Sequence, residues 1–520
     1  MTARRSSTAN ALLVGAGVLL SRLAGFLRER VFAHYLGSSM AADALRAALR
    51  APNVLQNLFG EGSLSASLVP VYSRLLGDGR EEEARRTART AGTLLALLAV
   101  LLSALGVLAA PLLVDLFTPG FSGERRDLTV RLVRILFPGT GLLVLSAFCL
   151  GILNSHRRFF LPYAAPVLWN GAIVAALVLA GARAGEEIAV FAAWGAVAGS
   201  LLQLLVQLPQ VARLVGTLRP ALDTRSPHVK TIFRNFLPSV GSRGVTQVSS
   251  WVDQVIASFL PAGAVAMLGY AQTIYLLPVS LFGMSVSSAE LPELSSGIGA
   301  EALRGRLDAA LRRVAFLVVP SAVAFALLGD RIVALVFQTG AFGAEDVRIV
   351  WAVLAGSAVG LLATTLGRLY ASAFWALHDT RTPLRFAMLR VAASAVLGVS
   401  LAFGAPRLLE WDARLGLAGL TLGSGLAGWV EMLLLRRALN ARVGRTGLPA
   451  AFSVPVWGAA LGAAAAGWGV RLAAAPLGPV VLGLLVCGVF AAAYVLLALL
   501  LRVPEASDLA GAVRRRLRRA

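Results

Sequence analysis

Arginines dominate the residues of this chain that could do chemistry. In SRLAGFLRER, Ser21 to Arg30, the charged groups Arg22, Arg28, Glu29 and Arg30 interrupt an apolar run. At about 100° per residue, Ser21, Arg22, Gly25, Arg28 and Glu29 fall within an arc of about 120° on one helix face. The next segment, MAADALRAALRAPNVLQNLFGEGSLSASLVP, carries a second stripe. Its Asp43, Arg46, Arg50, Asn53, Asn57 and Glu61 lie within about 80° by the same arithmetic. Guanidinium groups hold phosphate oxygens through charge-assisted, often bidentate hydrogen bonds. The chemistry indicated is therefore recognition of an anion. His34, His156, His228 and His378 are scattered without metal-ligand spacing. The sequence contains no Walker loop, HExxH or GxSxG. Cys149 and Cys487 fall inside apolar runs and read as packing residues, not as a disulfide framework.

The elements that must position these charges are membrane helices. The chain has 520 residues, is 57% hydrophobic and only 14% charged, where an average soluble domain carries roughly a quarter charged residues. Its mean hydropathy is +0.75. Runs such as TLLALLAVLLSALGVLAAPLLVDLF are long enough to cross about 30 Å of hydrocarbon. Hydropathy predicts an all-α polytopic membrane protein with roughly fourteen spans. The first apolar run lacks a small-residue cleavage site and reads as a span, not a signal peptide. The net charge of +21 follows topology: with the N-terminus inside, the inner loops and ends hold roughly 30 Lys and Arg against roughly 8 outside. Both termini are expected on the cytoplasmic side of the membrane. No nucleic-acid partner is implied.

Charges at mid-membrane normally face a cavity or a partner, because lipid exposure costs at least about 2.5–3.5 kcal/mol each. Pro52, Gly60 and Gly62 should interrupt the second span, and broken helices survive only beside protein or a water-filled cavity. Spans one and two thus read as cavity walls. The plainer alternatives are snorkelling of Arg28 and Arg30 and structural ion pairs such as Asp43 with Arg46. In the later half, Arg243, Gln247, Ser250 and Gln254 share a face with Asp253 at its edge. Gln272, Thr273, Pro278 and Glu290 follow in the next span, then Arg368 and Arg390. Both halves open with a polar-striped helix and a Pro-interrupted one, as repeated transporter lobes do.

The segment SRLAGFLRERVFAHYLGSSMAADALRAALRAPNVLQNLFGEGSLSASLVPVYSRLL resembles the N-terminal signature of the MurJ (MviN) family, the lipid II flippases of the MOP transporter superfamily. VDQVIASFLPAGAVAMLGYAQTIYLLP, LFGMSVSSAELPELS, QTGAFGAEDV and LYASAFWALHDTRTP match in order and spacing, so the resemblance runs from Asn10 to about Arg437. It implies two six-helix lobes around a central V-shaped cavity, plus two C-terminal helices. The expected division is 1–218, 219–445 and 446–520, the last including a basic tail. The implied substrate is undecaprenyl-diphosphate-linked disaccharide-pentapeptide, moved from the cytoplasmic to the periplasmic leaflet, with the lipid bilayer and other cell-wall synthesis proteins as partners.

Carried over from the family, Arg22, Arg28, Asp43 and Glu61 stand at functional charges and Arg50 at a basic position. Gln56 and Asn57 stand where the family often has one or two further arginines. Gln272 and Thr273 replace an Asp-Arg pair, leaving Arg243 or Arg368 to supply the missing cation. Asp253 and Ser424 match ligands of a sodium site found in some members. Ser394 and Gly398 are weak ligands there, and Arg390, one turn before Ser394, is expected to reach Asp253 as a built-in cation. No cofactor is expected, with sodium or the membrane potential as candidate energy sources. The rival readings are a transporter of another lipid-linked oligosaccharide, a MATE-like drug or cation antiporter, a membrane-embedded polyprenyl-phosphate enzyme, and a transporter relic that only binds cell-wall synthesis proteins. The basic stripes argue against a site for cationic drugs, and the enzyme would need paired acidic motifs that are absent from the sequence.

Overall fold

Within hydrocarbon, a chain must satisfy its own backbone hydrogen bonds, and helices do so segment by segment. The computed structural model obeys this constraint. It describes residues 2–59, 61–216, 220–223, 225–284, 299–474 and 476–517, with side chains for all but 2–12, 51–52, 55–57, 59, 61–62, 65, 237–250, 283–284, 510 and 512–517. Among these the only strand-like feature is an isolated bridge between Thr339 and Phe342.

The first ten helices are α1 Thr2–Leu36, α2 Met40–Phe59, α3 Glu61–Gly77, α4 Glu81–Leu108, α5 Ala110–Phe117, α6 Gly123–Ser155, α7 Phe160–Ala164, α8 Pro166–Ala180, α9 Gly185–Val215 and α10 Pro227–Ser258. Then come α11 Ala264–Pro278, extended by a π-helical turn Val279–Met284, α12 Ala300–Leu327, α13 Gly329–Phe337, α14 Ala344–Ala376 and α15 Arg381–Val399. A second π-helical turn, Ser400–Gly404, leads into α16 Ala405–Leu409. The chain closes with α17 Gly416–Val443, α18 Ala450–Ala473, α19 Pro479–Leu500 and α20 Pro504–Leu517. Eleven described segments are long and apolar enough to cross a membrane. Three more of spanning length, α1, α2 with α3, and α10, carry the polar stripes. Together they match the expected count of roughly fourteen, and the chain is a multi-pass membrane protein. Pro52 is accommodated within α2 and residue 62 within α3, while Gly60 lies outside the described residues.

Packing divides the chain into two compact units, Met1–Ala266 and Met267–Ala520. Within the first unit α10 packs against α2, α3 and α4. In that unit Leu64, Leu68, Tyr72, Leu95, Phe148, Leu153 and Val211 form a buried cluster between α3, α4, α6 and α9. Between α6 and α9, Gln203 and Gln207 donate to Ser146 Oγ at 3.0 and 2.7 Å. Such bonds hold helices where lipid supplies no hydrophobic drive for association.

In the second unit α14 and α17 approach closely through glycines. A Cβ on Gly360 would lie 2.4 Å from Gly425 Cα, and one on Gly356 2.6 Å from Ala418 O. The closing pair packs within this unit, not as a separate body. Tyr494 Oη donates to Phe316 O at 2.6 Å, and Trp468 Nε1 to Leu327 O at 3.1 Å.

These contacts set an expectation for stability. Gly360→Val has no room and should lower stability by about 1–3 kcal/mol, as overpacking does. Gly305→Ala, facing open space inside α12, should be neutral or stabilising by up to about 1 kcal/mol. Thermal unfolding of the purified variants in detergent measures both, and equal melting temperatures would refute the close-packing account.

Candidate functional site

The N-terminal polar stripes converge on a buried carboxylate. Glu29 on α1 is 7% exposed. It accepts from Arg28 Nη2 at 2.6 Å through one oxygen and from Arg46 Nη2 of α2 at 2.7 Å through the other. The Arg28 guanidinium also lies 4.9 Å from the Trp169 ring centre on α8, and that of Arg46 5.0 Å from Phe32. One acid thus shares two cations, each also against an aromatic face, which is how guanidinium groups tolerate partial burial. The cluster carries a net charge of +1. Glu29 and Arg46 lie on the polar stripes of the sequence. The missed signal is an acid flanked by arginines on the same stripe.

Asp43, expected to face a ligand, does something else. It is fully buried. Its oxygens accept the backbone N–H groups of Gly263 and Ala266, each at 2.7 Å, and the Arg125 guanidinium. The carboxylate therefore sits on free N–H groups at the start of α11, where a negative charge is stabilised by backbone donors and the helix dipole. Arg125 stacks over Phe121 with its carbon 3.6 Å from the ring centre. Nearby, Gly120 N donates to Ser258 Oγ at 3.0 Å and Trp251 Nε1 to Leu116 O at 3.3 Å. Gly263 has φ +94°, and a Cβ there would lie 2.3 Å from Ser38 O. The α1–α2 turn, the α5–α6 region and the end of α10 are knitted together around Asp43. Its oxygens are consumed internally.

The other expected residues divide between the two units. Arg22 is exposed on α1. Arg50 on α2 lies in the field of Asp253 on α10, so the structure brings an expected anion ligand beside an expected metal ligand. Gln272 is half-buried on α11, and Thr273 Oγ1 donates to Gly269 O at 2.9 Å. Arg368 is exposed on α14. Its charge acts on Glu431 of α17, which also pairs with Arg390 Nε of α15 at 2.9 Å. The partner of Arg390 is therefore Glu431, a residue the sequence reading passed over, in place of the expected Asp253. Ser424, the other expected metal ligand, hydrogen-bonds Ser394 at 2.7 Å between their Oγ atoms. The side chains of Asn57, Glu61 and Arg243 lie outside the described residues. Among the described residues no group of three or more His, Cys, Asp or Glu could hold a metal ion.

The family model of the lipid II flippase MurJ matches residues 32–503. The chain belongs to the MurJ lipid II flippase family. The match extends through α18 and α19, beyond the resemblance read from the sequence, and begins after SRLAGFLRER. A probable lipid II flippase MurJ of Rhizobium meliloti is 33% identical over 433 residues, 81% of this chain and 78% of that protein. The lipid II flippase MurJ of Burkholderia cenocepacia is 32% identical over 442 residues, 83% of each chain. Among solved structures, a lipid II flippase MurJ in its inward closed conformation superposes with TM-score 0.77 at 24% identity, covering 94% of this chain and 99% of that one. An inward-facing multidrug resistance MATE transporter of the MOP superfamily follows at TM-score 0.62 and 20% identity, covering 83% and 98%. These two likenesses show the fold.

The shared carboxylate generates a test. Glu29→Gln leaves two guanidiniums side by side without their acid and should cost about 3 kcal/mol of stability. Adding Arg46→Met should recover part of that loss. Additive losses in thermal unfolding would mean that the two side chains are not coupled.

Proposed function

We propose that this protein is a lipid II flippase of the bacterial cytoplasmic membrane. It moves undecaprenyl-diphosphate-linked disaccharide-pentapeptide from the cytoplasmic to the periplasmic leaflet by alternating access, and breaks no covalent bond. The observation that carries the reading is the family match over residues 32–503, made on a multi-pass helical chain.

The residues then take distinct parts. Arg28 and Arg46, held by Glu29, leave one net positive charge for an anionic head group. Exposed Arg22 and partly buried Arg50 extend that basic track along the first two spans. Aromatic support from Trp169 and Phe32 keeps the guanidiniums in place when no lipid is bound. Asp43 acts as a latch on one end of the first unit. Opening that end would break its bonds to Gly263, Ala266 and Arg125, and restoring them would favour closure. Both termini lie in the cytoplasm by the distribution of basic loops.

Energy coupling follows from the second unit. Ser394 and Ser424 satisfy each other, and Arg390 neutralises Glu431. This arrangement supports transport without sodium, driven by the membrane potential. Replacing sodium by potassium or choline should leave flipping unchanged, and a strict sodium requirement would refute the proposal. A MATE-like antiporter of cationic drugs shares the fold, but a cluster of two arginines to one glutamate repels a cation.

Complementation tests the main reading. Cells depleted of their own lipid II flippase should grow when they express this chain, without accumulating peptidoglycan precursors. Failure by a well-expressed, folded protein would overturn it. Within that assay Arg28→Ala should abolish rescue, and Arg28→Lys should impair it because a point charge cannot reproduce the guanidinium fork. Full rescue by a folded Arg28→Ala protein would remove Arg28 from head-group binding.

A further inference from the structure

A second basic site lies on the first unit, away from the Arg28 cluster. A cavity of about 610 Å³ opens between α5, α6 and α9, lined by Pro111, Arg126, Asp127, Arg131, Arg134 and Trp194 among others. Three arginines and one aspartate give the lining a net charge of +2. Arg126 is committed to Asp115 through two bonds, at 2.7 and 2.9 Å. Arg131 and Arg134 are exposed, with Arg131 acting on Glu186 outside the lining. Arg134 has no ion pair among the described residues. Positions three apart on a helix face each other at about 5–6 Å between Cβ atoms. That spacing lets two guanidiniums grip one phosphate.

The depth of the site argues for what it binds. At 33 residues, α6 is about 50 Å long and exceeds the roughly 30 Å hydrocarbon layer. Its stretch from Ile135 to Ile152 carries no charged residue and by itself spans about 27 Å. Arg131 and Arg134 thus fall at the boundary where lipid phosphates lie. Gly139 packs on Val197 and Ser200, and Ser146 bonds Gln203 and Gln207, so α6 and α9 run parallel in register. That register sets Trp194, 58% exposed, level with Arg134. Tryptophan prefers the same interfacial depth.

We infer that the α5–α6–α9 cavity is a binding site for the phosphate head group of an anionic phospholipid, held by Arg131 and Arg134 with Trp194 against the glycerol and upper acyl region. A zwitterionic head group brings an ammonium that Arg131 and Arg134 repel, so phosphatidylglycerol should be preferred over phosphatidylcholine. The site is separate from the basic track of the first two spans and does not rest on the identity of the transported lipid.

The test uses the full chain in detergent and in nanodiscs. Native mass spectrometry should show phosphatidylglycerol retained on the wild-type protein in preference to phosphatidylcholine. Arg131→Gln with Arg134→Gln should weaken that retention about tenfold or more, as expected for losing charge-assisted bonds to a phosphate. Trp194→Ala should weaken it less, and Arg134→Lys should retain part of it. Equal retention by wild type and the double variant would overturn the assignment. If the double variant fails to fold, equal retention by wild type, Trp194→Ala and Arg134→Lys would overturn it. Saturation by inorganic phosphate alone would mark a free-anion site instead. Displacement of phosphatidylglycerol by an undecaprenyl diphosphate, lost in the double variant, would assign the cavity to the transported lipid and likewise defeat the proposal.

Discussion

Placing positive charge inside a helix bundle is the constraint on which the rest of this structure depends. A guanidinium cannot easily shed its proton, so it must find an acid, an aromatic face or water. Glu29 solves this for two arginines at once, using both oxygens. The solution fixes other choices. Trp169 must present its face to Arg28, and α1 and α2 must cross where Arg46 can reach back over seventeen positions. Because one acid serves two cations, the cluster is held together and still attracts an anion.

Asp43 illustrates the opposite use of a buried carboxylate. Its oxygens meet two backbone N–H groups and a guanidinium, leaving little capacity for a ligand. Such a site is a poor receptor and a good latch. Its bonds are directional, it excludes water, and breaking them exposes several donors together. The turn at Gly263 belongs to the same device, since a side chain there would strike Ser38 O. The two carboxylates, Glu29 and Asp43, lie on adjacent helices yet serve separate ends: one leaves charge over, the other consumes it.

Much of this was legible in the sequence, for physical reasons that can be named. Hydropathy registers spans because lipid demands apolar helices, and the stripes of α1 and α2 stood out because lipid does not tolerate them. Partners were less visible. Asp43 finds Gly263 and Ala266 more than two hundred positions away, through backbone N–H groups that carry no sequence signature. Arg390 was assigned to Asp253 by analogy with a sodium site, while its helix packs Glu431 of α17 against it. Gly356 and Gly360 stand four apart on α14, a small-residue spacing that permits close helix approach, but only the position of α17 shows which helix fills the space. Periodicity reveals which face is polar. Which acid answers which base depends on how helices cross.

The second unit carries the same logic with a different outcome. Glu431 pairs with Arg390 and lies in the field of Arg368, while Glu29 pairs with both Arg28 and Arg46. In both units one intramembrane acid manages two cations, and in both the surplus charge is positive. The resemblance is not a copied motif: in the first unit the three groups come from two helices, in the second from three. It reflects a shared requirement. A lobe that must attract an anionic lipid head group from within a low-dielectric bundle needs surplus positive charge, and a lobe that must remain folded while empty needs that surplus to be small. One acid for two arginines satisfies both conditions, so a bundle of this kind can arrive at it independently in each half.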